Sequence, residues 1–212
     1  MWQQRWALVG DSIQAWVLEN SSSGIIPRAD KLTASMIPFK VNASIQNVSV
    51  PGMRLAKGTD PSDPFDISSL SKLHGFFGLN GVVCTLGTND YGSPYVTTVD
   101  YFYALTDFLN AAISLTIPVV IVSPIWRQDK DTSVLKYDGT TNVLADFQNT
   151  AQWVTSLVSA NNSNVYFIDG KQAPVQNATY FGDGLHLNAA GHAKFCTWLV
   201  NEMKSKNLWQ QY

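Results

Sequence analysis

Ser12 follows the apolar run Trp6-Ala7-Leu8-Val9 in Gly10-Asp11-Ser12-Ile13, and near the other end of the chain stands Asp183-Gly184-Leu185-His186. A hydroxyl is a weak nucleophile until a base removes its proton, and that base must be held by a third group. A serine on the turn leaving a buried strand, with a late Asp and His, meets that need and points to nucleophilic acyl transfer. Three positions apart on one loop, Asp183 can reach the Nδ1–H of His186, fix its tautomer and leave Nε2 free to take the Ser12 proton. Two further strings suit the oxyanion such an attack creates. Asn89, in Gly87-Thr88-Asn89-Asp90, can point its amide NH₂ at developing charge. Gly52, after Pro51, can offer a backbone N–H with no side chain in the way. Each string also has a plainer use: Ser or Asp ahead of a helix is a common cap, and Asn, Asp and Gly are common in turns.

Residues so far apart in sequence need a fold that assembles them. Five short, apolar, β-branched segments recur, at 6–9, 45–50, 81–86, 118–123 and 165–168. Continuous apolar runs of this length suit strands buried on both faces. Between them lie helical patterns. Phe102, Leu105, Leu109 and Ala112 mark one over 99–113, and Phe147, Trp153, Val154 and Leu157 mark another over 143–159. Phe195, Trp198, Leu199 and Met203 mark a third over 189–206. Alternating strands and helices predict an α/β fold, a three-layer α/β/α sandwich around a five-stranded parallel sheet. With no internal repeat and no linker, residues 1–212 are expected to form one domain. Ligands of such sheets bind beyond the carboxyl ends of the strands. Every string named above falls there, and so does Ser123-Pro124-Ile125-Trp126.

In these blocks and their order the chain resembles the SGNH (GDSL-type) hydrolases over almost its full length. Gly10-Asp11-Ser12 resembles their nucleophile block, Gly52 the glycine block, Gly87-Thr88-Asn89-Asp90 the Gly-x-Asn-Asp block, and Asp183-Gly184-Leu185-His186 the closing Asp-x-x-His block. The resemblance implies a flavodoxin-like sandwich, a Ser12-Asp183-His186 triad, and an oxyanion hole made from the Ser12 and Gly52 N–H groups and the Asn89 amide. It implies ester hydrolysis through an acyl-enzyme, with no metal or organic cofactor. Two positions depart from the usual pattern: Ile13 stands where leucine is common, and Leu187 where proline often follows the histidine. Neither is a reacting group.

Other residues fill supporting places. Asp11 and Asp90 flank the reacting groups and are expected to position loops through backbone hydrogen bonds; Leu185 and Trp126 stand where they can support the site or touch substrate. The segment from Trp126 to Asn142 carries Arg127, Lys130 and Tyr137 and reads as a long rim loop, the kind that often serves binding. Trp126 either stacks on a sugar or acyl group or seals the rim of the core. His192 reads as a structural hydrogen-bonder and His74 as a surface residue. Trp153 and Trp198 read as core, as do the thiols of Cys84 and Cys196.

The bulk composition narrows the classes. In 212 residues, 45% are hydrophobic and 12% aromatic, which suits a globular core. A net charge of −2 gives no electrostatic footprint for nucleic acid or an anionic membrane. Only 14% of residues are charged, against about 25% in typical domains, so the surface is polar but weakly ionic. That leans toward an extracellular, particle-borne or sugar-facing protein if the chain is an excised domain, and a cytoplasmic one otherwise; the chain shows neither a signal peptide nor a spanning segment. A mononucleotide-binding role would want a phosphate-cradling run after the first strand, and Ser12-Ile13-Gln14-Ala15-Trp16 offers none. The expected substrate is a small-molecule or carbohydrate ester carrying a short acyl group, most of all acetyl. A broad short-chain carboxylesterase and a thioesterase or lysophospholipase are the neighbouring readings, and a silent carbohydrate-binding or particle-surface module is the non-enzymatic one.

Overall fold

The computed structural model describes residues 4–15, 17–21, 24–27, 41, 43–57, 78–127 and 143–209. Seven strands lie among them: β1 (Gln4–Val9), β2 (Val17–Ser21), β3 (Gly24–Pro27), β4 (Ala43–Asn47), β5 (Gly81–Cys84), β6 (Val119–Val122) and β7 (Val165–Ile168). The helices are α1 (Ser12–Ala15), α2 (Thr88–Gly92), α3 (Thr98–Ile113), α4 (Val143–Ser159) and α5 (Ala189–Ser205). Five strands form one sheet in the order β4-β1-β5-β6-β7, and every neighbouring pair is parallel. Counting only those five, this is the 2-1-3-4-5 order of doubly wound, flavodoxin-like sheets.

The apolar runs explain the layers. β5 and β6 are buried at every position, and β1 is buried from Trp6 onward. Successive residues of a strand point to opposite faces, so a continuous apolar run feeds two cores at once. Ala7, Val9, Val82, Val119 and Ile121 join Leu105, Phe108 and Leu109 of α3 and Phe147 and Val154 of α4. Trp6, Leu8, Val83, Val120 and Val122 join Phe195, Leu199 and Met203 of α5 on the other side. Trp6 needs more room than a strand neighbour usually leaves. Its register partner is Gly81, where an added Cβ would fall 2.3 Å from the indole ring, and Trp209 packs against the ring edge-on at 5.7 Å between centroids.

Three expectations need correction. The second sheet strand spans Ala43–Asn47, not 45–50: residues 48–50 run beyond it toward the turn at Gly52. An antiparallel β2–β3 pair, unforeseen, lies outside the main sheet. Trp153 is not core but 58% exposed, and Leu157 is 51% exposed. The buried stripe of α4 runs through Leu144, Phe147, Ala151 and Val154, at helical spacings of three and four, and Trp153 stands one residue off that line. Its ring instead meets Phe102 of α3 at 5.2 Å. Trp198 is half-buried against the α5-side core. Among the described residues no helix is long and apolar enough to cross a membrane.

Candidate active site

In this strand order the chain reverses direction across the sheet between β1 and β5, and sheets of this kind hold their ligand crevice above the carboxyl ends of the strands at that point. Ser12 follows β1 and Asn89 follows β5, and the two strands are hydrogen-bonded neighbours, with Val9 opposite Cys84. β4 flanks β1 on its other side and delivers Gly52. Backbone bonds continue past the strands: Val50 N–H donates to Gly10 O at 3.1 Å, and Thr85 N–H to Val9 O at 2.8 Å. Topology alone therefore gathers three of the residues singled out from sequence.

Ser12 is the first residue of α1 and is buried. Asp11 shapes the turn that presents it, accepting the Ile13 N–H at 2.9 Å, while its own N–H donates to Gln14 Oε1 at 3.2 Å. Gly10 is required by space: a Cβ there would lie 2.5 Å from Gln14 Oε1 and 2.6 Å from Thr85 Oγ1. Gly52 is required by conformation. Met53 N–H closes on Val50 O at 3.0 Å, and Gly52 takes φ +78° in that turn, with Pro51 before it. Among the described residues the N–H groups of Ser12 and Gly52 have no acceptor.

Residues 87–90 tie the glycine turn to β5. The Asn89 Nδ2 donates to Met53 O at 3.1 Å. The fully buried carboxylate of Asp90 accepts Leu55 N–H through both oxygens at 3.0 Å and Ala56 N–H at 2.8 Å. Burial pushes Asp90 up to about 7, against the pull of those N–H groups and of Arg54. Asp11 is pushed up to about 6, again chiefly by burial, with its bond from Ile13 and the Arg127 charge opposing. Its Oδ2 is buried without a hydrogen-bond partner among the described residues. The Asp11 charge adds to the rise at Asp90, and the two carboxylates lie with the buried Arg54 and Arg127 in one charge cluster beneath the strand ends.

Asp183 and His186 arrive from the far edge of the sheet. After β7 the chain passes two short 3₁₀ turns, Gly170–Gln172 and Ala178–Tyr180, and a bridge between Phe181 and Leu187 frames the loop between them. Inside it Asp183 has two duties. Its Oδ1 accepts the backbone N–H of Leu185 at 3.0 Å and of His186 at 2.7 Å; its Oδ2 lies 2.7 Å from His186 Nδ1. The carboxylate thus folds the turn and holds the imidazole together. The Asn188 side chain then caps α5 through Gly191 N–H at 3.0 Å. Ile13 and Leu187, the two departures from the usual pattern, are both fully buried in the α5-side core and anchor the residues next to Ser12 and His186. Among the described residues Ser12 Oγ has no hydrogen-bond partner, so its link to His186 is not closed.

Trp126 is half-buried, its ring edge-on to Phe181 at 5.2 Å between centroids, beside the Asp183 loop. Leu185 is half-buried in that loop. His192 is fully buried at the start of α5. His74, Lys130 and Tyr137 lie outside the described residues. Cys84 and Cys196 are buried and divided between the two cores, with the Cys84 thiol pushed up to about 12 by burial. Among the described residues no group of three or more His, Cys, Asp or Glu could hold a metal ion. In sequence Arg127 is one more member of the rim loop. The structure buries it beside Thr88 and Asn89, and its place directly behind a strand-end Trp in a chain poor in charge was the only signal.

A family model described as GDSL-like Lipase/Acylhydrolase matches residues 7–199. No curated protein matches the chain. Solved structures share the fold at low identity. A family two carbohydrate esterase from Clostridium thermocellum, in complex with cellohexaose, superposes with TM-score 0.74 at 17% identity, covering 98% of this chain and 65% of that one. The chain therefore spans just under two thirds of that esterase. The lipase/acylhydrolase from Enterococcus faecalis has TM-score 0.68 at 19% identity, covering 99% of this chain and 98% of its own. A carbohydrate acetylesterase from Sinorhizobium meliloti has TM-score 0.69 at 14% identity, covering 96% of this chain and 99% of its own.

Proposed function

The chain belongs to the GDSL-like lipase/acylhydrolase family of ester hydrolases, and we propose on that premise that it is a serine esterase removing short acyl groups, above all acetyl, from carbohydrates. Ser12 is the nucleophile, His186 the base and Asp183 the group that orients it. As the ester carbonyl enters, Ser12 Oγ attacks and its proton passes to His186 Nε2. Nucleophile–base hydrogen bonds are often open without substrate and tighten when it binds. The tetrahedral oxyanion is held by the N–H groups of Ser12 and Gly52 and the Asn89 amide. Protonated His186 then gives its proton to the departing alcohol, and water repeats the sequence on the acyl-enzyme.

The observation that carries this reading is the double use of Asp183. A carboxylate 2.7 Å from Nδ1 leaves Nε2 as the ring's acceptor, and the same carboxylate's two backbone bonds keep the ring from turning away. The N–H groups of Ser12 and Gly52, without an acceptor among the described residues, support it from the other side. For the alcohol, the reading draws on the half-buried Trp126 ring beside the Asp183 loop, an aromatic of the kind that stacks on sugars, and on a surface poor in charge. The fold-sharing proteins from Clostridium thermocellum and Sinorhizobium meliloti are carbohydrate esterases, which fits the same substrate class.

The test is acetate release from acetylated oligosaccharides and polysaccharides, beside p-nitrophenyl esters of rising chain length. Release from sugars, with p-nitrophenyl acetate cleaved well and longer esters poorly, supports the full reading. Best turnover of long-chain esters removes the acetyl assignment and keeps the triad. Equal turnover by wild type and Ser12→Ala removes the nucleophile.

A further inference from the structure

We propose that Arg127 is a positioning residue that fixes and polarises the Asn89 oxyanion donor, an inference that rests on the esterase reading above. An asparagine amide can sit either way round, and only its neighbours decide which end faces the substrate. At Asn89 both neighbours agree. Its Nδ2 donates to Met53 O at 3.1 Å, and its Oδ1 faces Arg127 Nη1 at 3.5 Å. A flipped amide would set two carbonyl oxygens against each other and an NH₂ against a guanidinium. One Nδ2 hydrogen is spent on Met53, and the second is left for the crevice. A cation on the amide oxygen also draws electron density toward it, which makes the remaining N–H a stronger donor to an oxyanion.

Arg127 is itself held tightly enough to do this. It is buried, its Nη1 donates to Thr88 O at 3.1 Å, and its guanidinium carbon lies 5.9 Å from the centroid of the Tyr91 ring. Gly92 makes the space: a Cβ there would come within 2.2 Å of Nη1. The buried Asp11 carboxylate, one residue from the nucleophile, supplies the counter-charge that a buried arginine needs. A fixed positive charge therefore sits behind the amide, held by the short helix that carries Asn89.

A mutant cycle on the full chain tests it, read as kcat and KM for p-nitrophenyl acetate with a thermal melt for each variant. Asn89→Ala is expected to lower kcat roughly 10²–10³-fold, as loss of an oxyanion donor does. Arg127→Met should lower kcat about ten- to a hundredfold with KM within about threefold, and Arg127→Lys, which keeps the charge without the planar fork, should recover part of that loss. The decisive result is the combination: in the Asn89→Ala background Arg127→Met should cost less than about twofold, because nothing remains to be positioned. A cost equal in both backgrounds overturns the proposal. If Arg127→Met fails to fold, Gly92→Ala, which crowds the guanidinium and leaves Arg127 in place, runs the same cycle under the same criterion. If Asn89→Ala leaves kcat unchanged while Ser12→Ala is dead, the oxyanion assignment is wrong and Arg127 positions nothing. If Ser12→Ala is also fully active, it is the esterase reading itself that has failed.

Discussion

Replacing Asp183 in two ways separates its two duties. Asparagine keeps a carbonyl oxygen where Oδ1 stands, so the N–H bonds from Leu185 and His186 survive. Its NH₂ takes the place of Oδ2, 2.7 Å from Nδ1, and forces the ring to accept there. The histidine proton then moves to Nε2, the atom that should receive the serine proton. A base in the wrong tautomer costs on the order of 10⁴ in kcat, or about 5.5 kcal/mol of transition-state stabilisation. Alanine suffers the same catalytic loss and also removes the acceptor of two turn bonds. At about 1–1.5 kcal/mol net for each, that is roughly 2–3 kcal/mol of stability. Asp183→Asn should therefore melt close to wild type while Asp183→Ala melts well below it, and both should be nearly inactive on p-nitrophenyl acetate. ¹⁵N chemical shifts of the imidazole would report the tautomer directly. An Asp183→Asn enzyme within tenfold of wild type, or one as unstable as Asp183→Ala, would refute the reasoning.

Three further changes probe the frame around the site. Asp11 is raised from 3.8 to about 6, so its contribution to stability is complete below the lower value and lost as pH rises through the upper one, about 3 kcal/mol in all. Urea unfolding at pH 4 and pH 8 should show Asp11→Asn gaining on wild type by up to that amount at the higher pH; a gain in the other direction would contradict the burial argument. Gly81→Ala drives a methyl into the Trp6 ring and should cost about 1–3 kcal/mol in chemical denaturation, and a neutral result would mean that Trp6 can move aside. Gly52→Ala meets no atom within 4 Å but must hold φ +78°, so it should lose roughly 1–2 kcal/mol through backbone strain alone, measured by the same denaturation.

The parts of this molecule that follow from local pattern were readable before any coordinates. Val119-Val120-Ile121-Val122 can satisfy its side chains only between two apolar layers, and the alternation of such runs with helical stripes leaves few sheets to consider. The Asp183–His186 pair was equally legible, because three residues of separation on a turn fix how far apart two side chains can be. Burial of charge was not. Asp11 and Asp90 are legible as loop-positioning carboxylates beside the site, but nothing in sequence tells that they, with Arg54 and Arg127, are buried, and only the convergence of β1, β4 and β5 closes them in. Trp153 shows the limit of reading a stripe by hydrophobicity. A shift of one residue turns a helix by about 100°, so the large ring of Trp153 faces outward while the smaller Ala151 faces the core.

That contrast has a catalytic logic. The side proposed to hold the oxyanion is braced from several directions: Asp90 grips residues 55 and 56, Asn89 grips Met53, Arg127 faces Asn89, and Asp11 shapes the turn under Ser12. Donors that must stabilise charge at the moment it appears gain most from being fixed beforehand, since reorganising them would consume the stabilisation they provide. In the proposed mechanism the base faces the opposite demand, because His186 would take a proton from one oxygen and return it to another within one turnover. It is carried on a loop from the far edge of the sheet, fixed in ring orientation by Asp183 but not bonded to Ser12. The cost of fixing the first half falls on two carboxylates buried beyond their comfort, at about 6 and about 7, which the neighbouring arginines and backbone N–H groups offset only in part. Burying those groups makes sense if the crevice needs rigid donors, and the tight network on one side with a freer base on the other is the division that acyl transfer would select.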